Sequence, residues 1–261
     1  MDLFSALPHS PFHLVATCTF LLSTLAYWLC GFALLALDTC CPRALYACKI
    51  QPSRPYSISG NEGKPAQPSL RRVCARVALL QLCIVAPACA LLAASGAINA
   101  DLSHVPGALD VLRDVALCIC VEEVLFYYSH RALHSRALYA RIHKVHHRFV
   151  APIALAALYA HPIEAALSNV LPLLVGPMLL RSHVTTVWLW TLLGVLGTQF
   201  HHCGYHMTPQ WDLQPRFHDR HHETNDCNYG LVGALDWLHG TLRTDAPMRQ
   251  HAEPESSSKH E

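Results

Sequence analysis

Two long uncharged runs dominate the hydropathy pattern. Residues 14–37 form 24 consecutive positions without a formal charge, and residues 77–100 form a second run of the same length. At about 1.5 Å per residue, either helix crosses a hydrocarbon layer of about 30 Å. Gln81, Pro87 and Gly96 dilute the second run and favour a bend in it. A third helix is predicted over residues 109–129, with Val111, Val115, Leu117, Ile119, Leu125 and Phe126 as its apolar surface, Arg113 and Asp114 near its start, and Glu122 and Glu123 deeper. Shorter runs over 163–180 and 184–200, joined by Arg181, Ser182 and His183, predict a hairpin that either crosses the bilayer or re-enters it. The expected fold is an all-α integral membrane protein of roughly three transmembrane helices plus this hairpin.

Composition supports a membrane protein over a soluble one. Hydrophobic residues make up 52% of the chain and charged residues 14%, and two runs this long buried in water would need a larger core than 261 residues provide. Arg43, Lys49, Arg54, Lys64, Arg71, Arg72 and Arg76 lie between the first two runs and place that connection in the cytoplasm. The Pro-, Ser- and Gly-bearing stretch 51–69 reads as a cytoplasmic link, with Tyr46, Ile50 and Tyr56 against the headgroups. The first run, preceded only by Asp2 as a charge, reads as a retained anchor and not as a cleaved signal peptide. Cys18, Cys30, Cys83, Cys89, Cys118 and Cys120 fall within predicted helices and read as reduced packing residues, while Cys40 and Cys41 stand where acylation is accessible. The expected division is an anchor region over 1–108, a catalytic region over 109–245 and a polar tail over 246–261.

Histidine spacing carries the chemistry. HRALH (His130, His134) is followed by HKVHH (His143, His146, His147), then HHCGYH (His202, His206) and HDRHH (His218, His221, His222). Separations of three or four put imidazoles on one helical face. Neutral imidazole suits iron, zinc, copper and nickel, and these ten donors exceed what one ion needs. One such motif alone is as readily a polar helix face; the ordered repetition argues for two ions. Spacing alone leaves a structural zinc site open. With an odd number of crossings before each cluster, both clusters meet on the cytoplasmic side.

The pieces FYYSHRALH, IHKVHHRFVAP, YAHPIE, HHCGYH, FHDRHHETNDCNYG and LDWLHGT, spread over residues 121–245, closely resemble the membrane fatty-acid hydroxylase and sterol desaturase superfamily. That resemblance implies a histidine-box centre of two iron ions held by His130, His134, His143, His146, His147, His202, His206, His218, His221 and His222. It also implies oxidation of a membrane lipid with dioxygen in the endoplasmic reticulum, with electrons from a separate cytochrome b5 or its reductase. HKVHH, AHPIE and the terminal GT look closest to C4-methylsterol oxidases and related sterol hydroxylases. His206 stands where those enzymes often carry the aspartate of a GYD segment, and its HxxxH spacing from His202 is familiar from fatty-acid hydroxylases. Sterol oxidation is therefore the leading activity, with fatty-acid or sphingolipid hydroxylation and a non-catalytic metal-binding scaffold as alternatives. An oxidase of C–H bonds requires iron in preference to redox-inert zinc.

Other residues carry two readings each. His161 and Glu164 of AHPIE either orient a ligand histidine or start a helix. Glu122, Glu123, Asp219 and Glu223 are orienting or proton-handling candidates; Asn228 and Tyr229 border the last cluster, and Gly230 allows a tight turn. Trp211, Trp237 and Tyr205 read as interface or packing aromatics. A formal charge of +1 and the absence of a basic domain argue against nucleic-acid binding.

Overall fold

The computed structural model describes residues 10–40, 47–53, 56–60, 66–206 and 213–244. Cys41, Arg43, Tyr46, Arg54, Lys64, Trp211 and the tail over 246–261 lie outside the described residues. The helices are α1 (His13–Cys40), α2 (Leu70–Ala94), α3 (Ala108–Leu133), α4 (Arg136–Arg141), α5 (Pro162–Leu180), α6 (Val184–His201), α7 (Leu213–Thr224) and α8 (Ala234–His239). Short 3-10 turns occupy His143–Arg148 and Ala154–Ala156. Among the described residues there is no strand, only two isolated bridges, Lys49 with Tyr205 and Asn99 with His183.

Two prolines leave a matching trace in the backbone. In α2 a π turn, Gln81–Val85, precedes Pro87, and in α5 another, Ala165–Val170, precedes Pro172. Proline lacks an N–H and crowds the carbonyl four residues earlier, and one wider turn lets the helix continue past it.

α1, α2 and α5 are long and apolar enough to cross a membrane. α3 and α6 form where the sequence predicts helices but are more polar. α3 carries Asp110, Arg113, Asp114, Glu122, Glu123 and Arg131, and α6 carries four threonines, Gln199 and His201. Outward leucines such as Leu25, Leu29, Leu82, Leu91 and Leu179 are more than half exposed, an apolar exterior suited to acyl chains and costly in water.

Close helix approach relies on small residues. A Cβ added at Gly176 of α5 would lie 2.9 Å from Cys118 Sγ of α3, and one at Gly31 of α1 would lie 2.4 Å from a Leu155 methyl and 2.8 Å from Gln199 Nε2 of α6. Polar groups then lock the contacts. Gln199 Nε2 donates to the Tyr27 carbonyl (2.8 Å), Tyr27 Oη donates to the Leu155 carbonyl (3.0 Å), and Leu158 N–H donates back to that hydroxyl (3.1 Å). Around Tyr27 packs a core of Val73, Val77, Phe149, Leu155 and Tyr159.

The connection after α1 folds inward. Ile50 N–H donates to the Gly204 carbonyl (2.9 Å), His206 N–H donates to the Cys48 carbonyl (2.8 Å), and Lys49 pairs with Asp38. Tyr205 is buried with its hydroxyl on Asp38 (3.1 Å), so it packs inside and does not anchor at the interface. Tyr56 likewise turns from the headgroups toward Phe149 and donates to the Pro68 carbonyl. Trp237 is 75% exposed, as an interface aromatic requires. The described cysteines are free thiols, and Cys40 is exposed.

Candidate metal centre

Four elements deliver the imidazoles to one place. The last turn of α3 carries His130 and its C-cap is His134, the 3-10 turn carries His143, His146 and His147, His202 caps α6, and α7 carries His218, His221 and His222. They separate into two groups, each with candidate ligand atoms within 4.8 Å of one another: His130, His134, His143, His147 and His221, and His146, His202, His218 and His222. Each HxxHH motif is split between them. His143 and His147 enter the first group while His146 enters the second; His218 and His222 enter the second while His221 enters the first. Adjacent histidines point to opposite sides of their element, so two short motifs build two neighbouring sites.

The hydrogen bonds fix the ring tautomers. Nδ1–H of His130 donates to the Tyr229 carbonyl (2.7 Å), that of His221 to the Cys227 carbonyl (2.7 Å) and that of His202 to the Thr198 carbonyl (2.7 Å). His146 makes the same contact with the Tyr159 carbonyl at 3.4 Å, and His143 Nδ1–H donates to Glu164 Oε1 at 2.8 Å. A carbonyl only accepts, so the proton sits on Nδ1 and leaves a lone pair on Nε2. Those Nε2 atoms face each other: His130 and His143 at 3.0 Å, His146 and His202 at 3.2 Å. Between two lone pairs no hydrogen bond is available. A cation placed among them satisfies every one, and all-imidazole donation fits a transition metal.

Electrostatics agree. Burial, and after it the neighbouring imidazoles, pushes His147, His218, His221 and His222 well below the usual histidine range, and burial holds His202 down at about 3. The rings are therefore neutral near pH 7, the form that ligates metal.

His206 lies outside both groups. Its HxxxH spacing from His202 works only if the helix continues, but α6 ends at His201 and Gly204 turns the chain at φ +73°. His201 stands apart too, its ring centroid 6.3 Å from that of His218.

The structure divides the two readings of AHPIE between its residues. His161 caps α5, its ring accepting from Ile163 N–H (3.2 Å), whereas Glu164 orients His143. Glu123 accepts from the N–H groups of Leu231, Val232 and Leu235, which ties α3 to the loop after α7. Asp236 accepts from Tyr229 N–H (2.8 Å), Gly230 N–H (2.7 Å) and Thr241 Oγ1 (2.6 Å), and so positions the carbonyl that receives the His130 proton. Asn228, at φ +57°, donates to the carbonyls of Phe217 and Arg243. Gly230 is required for space and not for a left-handed turn: an added Cβ would lie 2.8 Å from both Asp236 Oδ2 and Glu123 Oε1. Asp219 takes a hydrogen bond from Gln51, which also donates to the Val150 carbonyl. Sequence reading missed Asp236 and Gln51; Asp236 sits in the quoted LDWLHGT motif, but only the fold brings it to Tyr229.

A cavity of about 380 Å³ lies among α1, α2, α3, α5 and α6 and reaches His218 of the second group and the loop over 230–232. Its walls are mostly apolar, as in sites for lipid-like ligands.

Residues 115–241 match the family model described as fatty acid hydroxylase. The chain is 50% identical over 131 residues to the human fatty acid hydroxylase domain-containing protein 2 (Homo sapiens), covering 50% of this chain and 38% of that one. It is 37% identical over 148 residues to methylsterol monooxygenase 2-2 of Arabidopsis thaliana, covering 52% and 54%. It is 38% identical over 141 residues to a very-long-chain aldehyde decarbonylase of Oryza sativa subsp. indica, covering 50% and 53%. The chain thus spans between about two fifths and just over half of these relatives' lengths. No solved structure matches. The matched segment contains all nine converging histidines, and residues 115–241 form a fatty acid hydroxylase domain, consistent with the fatty acid hydroxylase and sterol desaturase superfamily.

Proposed function

We propose that this chain is a di-iron lipid oxidoreductase of the endoplasmic reticulum membrane that hydroxylates, or successively oxidises, a membrane sterol. The observation that carries the reading is the junction of two histidine groups with a mostly apolar cavity inside helices suited to a bilayer. The similarity to a methylsterol monooxygenase supports the sterol class. Iron held by His130, His134, His143, His147 and His221 and by His146, His202, His218 and His222 would supply oxidising power from dioxygen that zinc lacks. The overall balance is R–H plus O2, two electrons and two protons to R–OH plus water. The chain's own residues do the rest. Glu164 and the Tyr229, Cys227 and Thr198 carbonyls hold the rings in their ligating tautomer, and the cavity walls orient one C–H bond and exclude water.

Cytoplasmic exposure of the histidine end is part of the proposal. Arg131, Arg141, Lys144 and Arg148 are exposed around the clusters, which fits both the charge rule for cytoplasmic ends and approach by an external electron donor such as cytochrome b5 or its reductase. The aldehyde decarbonylase relative and the fatty acid hydroxylase family keep an acyl-chain substrate as the second reading.

The test is loss and rescue in cells with oxygen-18 gas and untargeted sterol and sphingolipid profiling. The control variant is His146→Ala with His147→Ala, which removes one ring from each group. Wild-type rescue should consume a less oxidised sterol and label its product, and the double variant should not. Selective restoration of 2-hydroxylated acyl chains instead moves the assignment to the fatty-acid class. No labelled lipid from folded, iron-loaded protein refutes the enzyme and favours the scaffold.

A further inference from the structure

Within the cavity, one residue is out of keeping with the walls. Glu122 of α3 lines it, and no described residue gives that carboxylate a hydrogen bond or a cation. Its neighbour Glu123 takes three backbone N–H groups, and those donors are directed at Glu123 and not at Glu122. A carboxyl group among apolar atoms is costly unless a donor meets it. Here the protein provides none, and the open side of the group is the cavity itself.

On α5, which packs against α3, Asn169 also lines the space and has no hydrogen-bond partner among the described residues. α3 and α5 are held in antiparallel register by the Ser129–Ser168 hydrogen bond (2.9 Å) at one end and the Cys118–Gly176 contact at the other. That register sets Asn169 about 8 Å, or one and a half helical turns, from Glu122 along the axis. A hydroxyl group suits Glu122, since it donates to the carboxylate. Glu122 lies eight residues before His130 on α3, about 12 Å along the axis. His201 also lines the cavity, its ring centroid 6.3 Å from that of His218.

We propose that Glu122 binds the hydroxyl group of the lipid substrate, and that the carbon oxidised is remote from that hydroxyl, unlike the C4 methyl of a sterol, which neighbours the 3-hydroxyl. Glu122 is then a specificity-determining residue that sets which end of an elongated lipid alcohol meets the histidines. The inference rests on the lipid-oxidising reading for the class of occupant, and its test does not require turnover.

Binding to the purified full chain in detergent is measured for two matched pairs: tritiated cholesterol against 5-cholestene, and 1-octadecanol against octadecane. Wild type should hold at least one alcohol about tenfold or more tighter than its hydrocarbon, the value of one hydrogen bond to a charged group. Glu122→Leu should erase that preference, Glu122→Gln should keep part of it, and hydrocarbon binding reports that the cavity is intact in each. Absence of any preference in wild type, or a preference that survives Glu122→Leu, overturns the proposal. Oxygen-18 turnover separates the two ideas. A chain that selects alcohols through Glu122 but never labels a lipid refutes the proposed activity alone, and one that turns over with its preference unchanged in Glu122→Leu refutes this inference alone.

Discussion

Removing the Glu164 carboxylate should weaken one metal site and spare the other. Glu164 Oε1 accepts from His143 Nδ1–H at 2.8 Å, with both side chains 4% exposed or less. Leaving the buried His143 N–H without its acceptor costs about 1–3 kcal/mol. At about 1.4 kcal/mol per factor of ten, Glu164→Ala should lower affinity at the group containing His143 by about 10–100-fold, the range typical for a partner that orients a ligand ring. Glu164→Gln retains an acceptor oxygen and should cost only several-fold. The group of His146, His202, His218 and His222 has no contact with Glu164 and should be unchanged. Titration of the metal-stripped protein against a coloured chelator resolves two affinities, and a melting curve of the stripped protein checks the fold. Equal weakening of both affinities, or a Gln variant as impaired as the Ala variant, would refute the reasoning.

Two further outcomes follow from the same geometry. His202→Ala should lose one of the two bound metals, whereas His206→Ala should retain both, because only His202 converges with His146, His218 and His222; metal content after gel filtration decides. Acid should destabilise the metal-stripped protein. His147, His218, His221 and His222 are held well below 6.5 when folded, so the unfolded chain takes up protons first. Stability is then full above about pH 6.5 and falls by about 1.4 kcal/mol per histidine for each unit below it. Thermal melts from pH 8 to 5.5 should show a falling midpoint, and a midpoint that rises on acidification contradicts this.

Much of this was legible because it depends on local pattern. The uncharged run over 14–37 lies within α1, the run over 77–100 overlaps α2, which starts earlier at Leu70 and stops at Ala94, and the motif spacings foretell nine rings that meet. What escaped depends on where the chain turns. HxxxH reads as a pair at His202 and His206, yet Gly204 ends the helical repeat between them. HKVHH lies on a 3-10 turn and not on an α-helix, and the crosswise sharing of the two HxxHH motifs needs α7 folded against that turn. Asp236 and Gln51 act across long sequence separations that no periodicity encodes. Glu122 and Glu123 are indistinguishable as a sequence pair; helix rotation gives Glu123 three backbone donors and leaves Glu122 facing the cavity.

The central claim is that two groups of neutral histidines hold two redox-active ions. Protein purified without chelators, after growth with ample iron, should contain about two iron ions per chain by elemental analysis, and its Mössbauer spectrum should change on reduction and on admission of dioxygen. One stoichiometric ion, or two zinc ions that iron cannot replace and that show no redox response, would contradict the account.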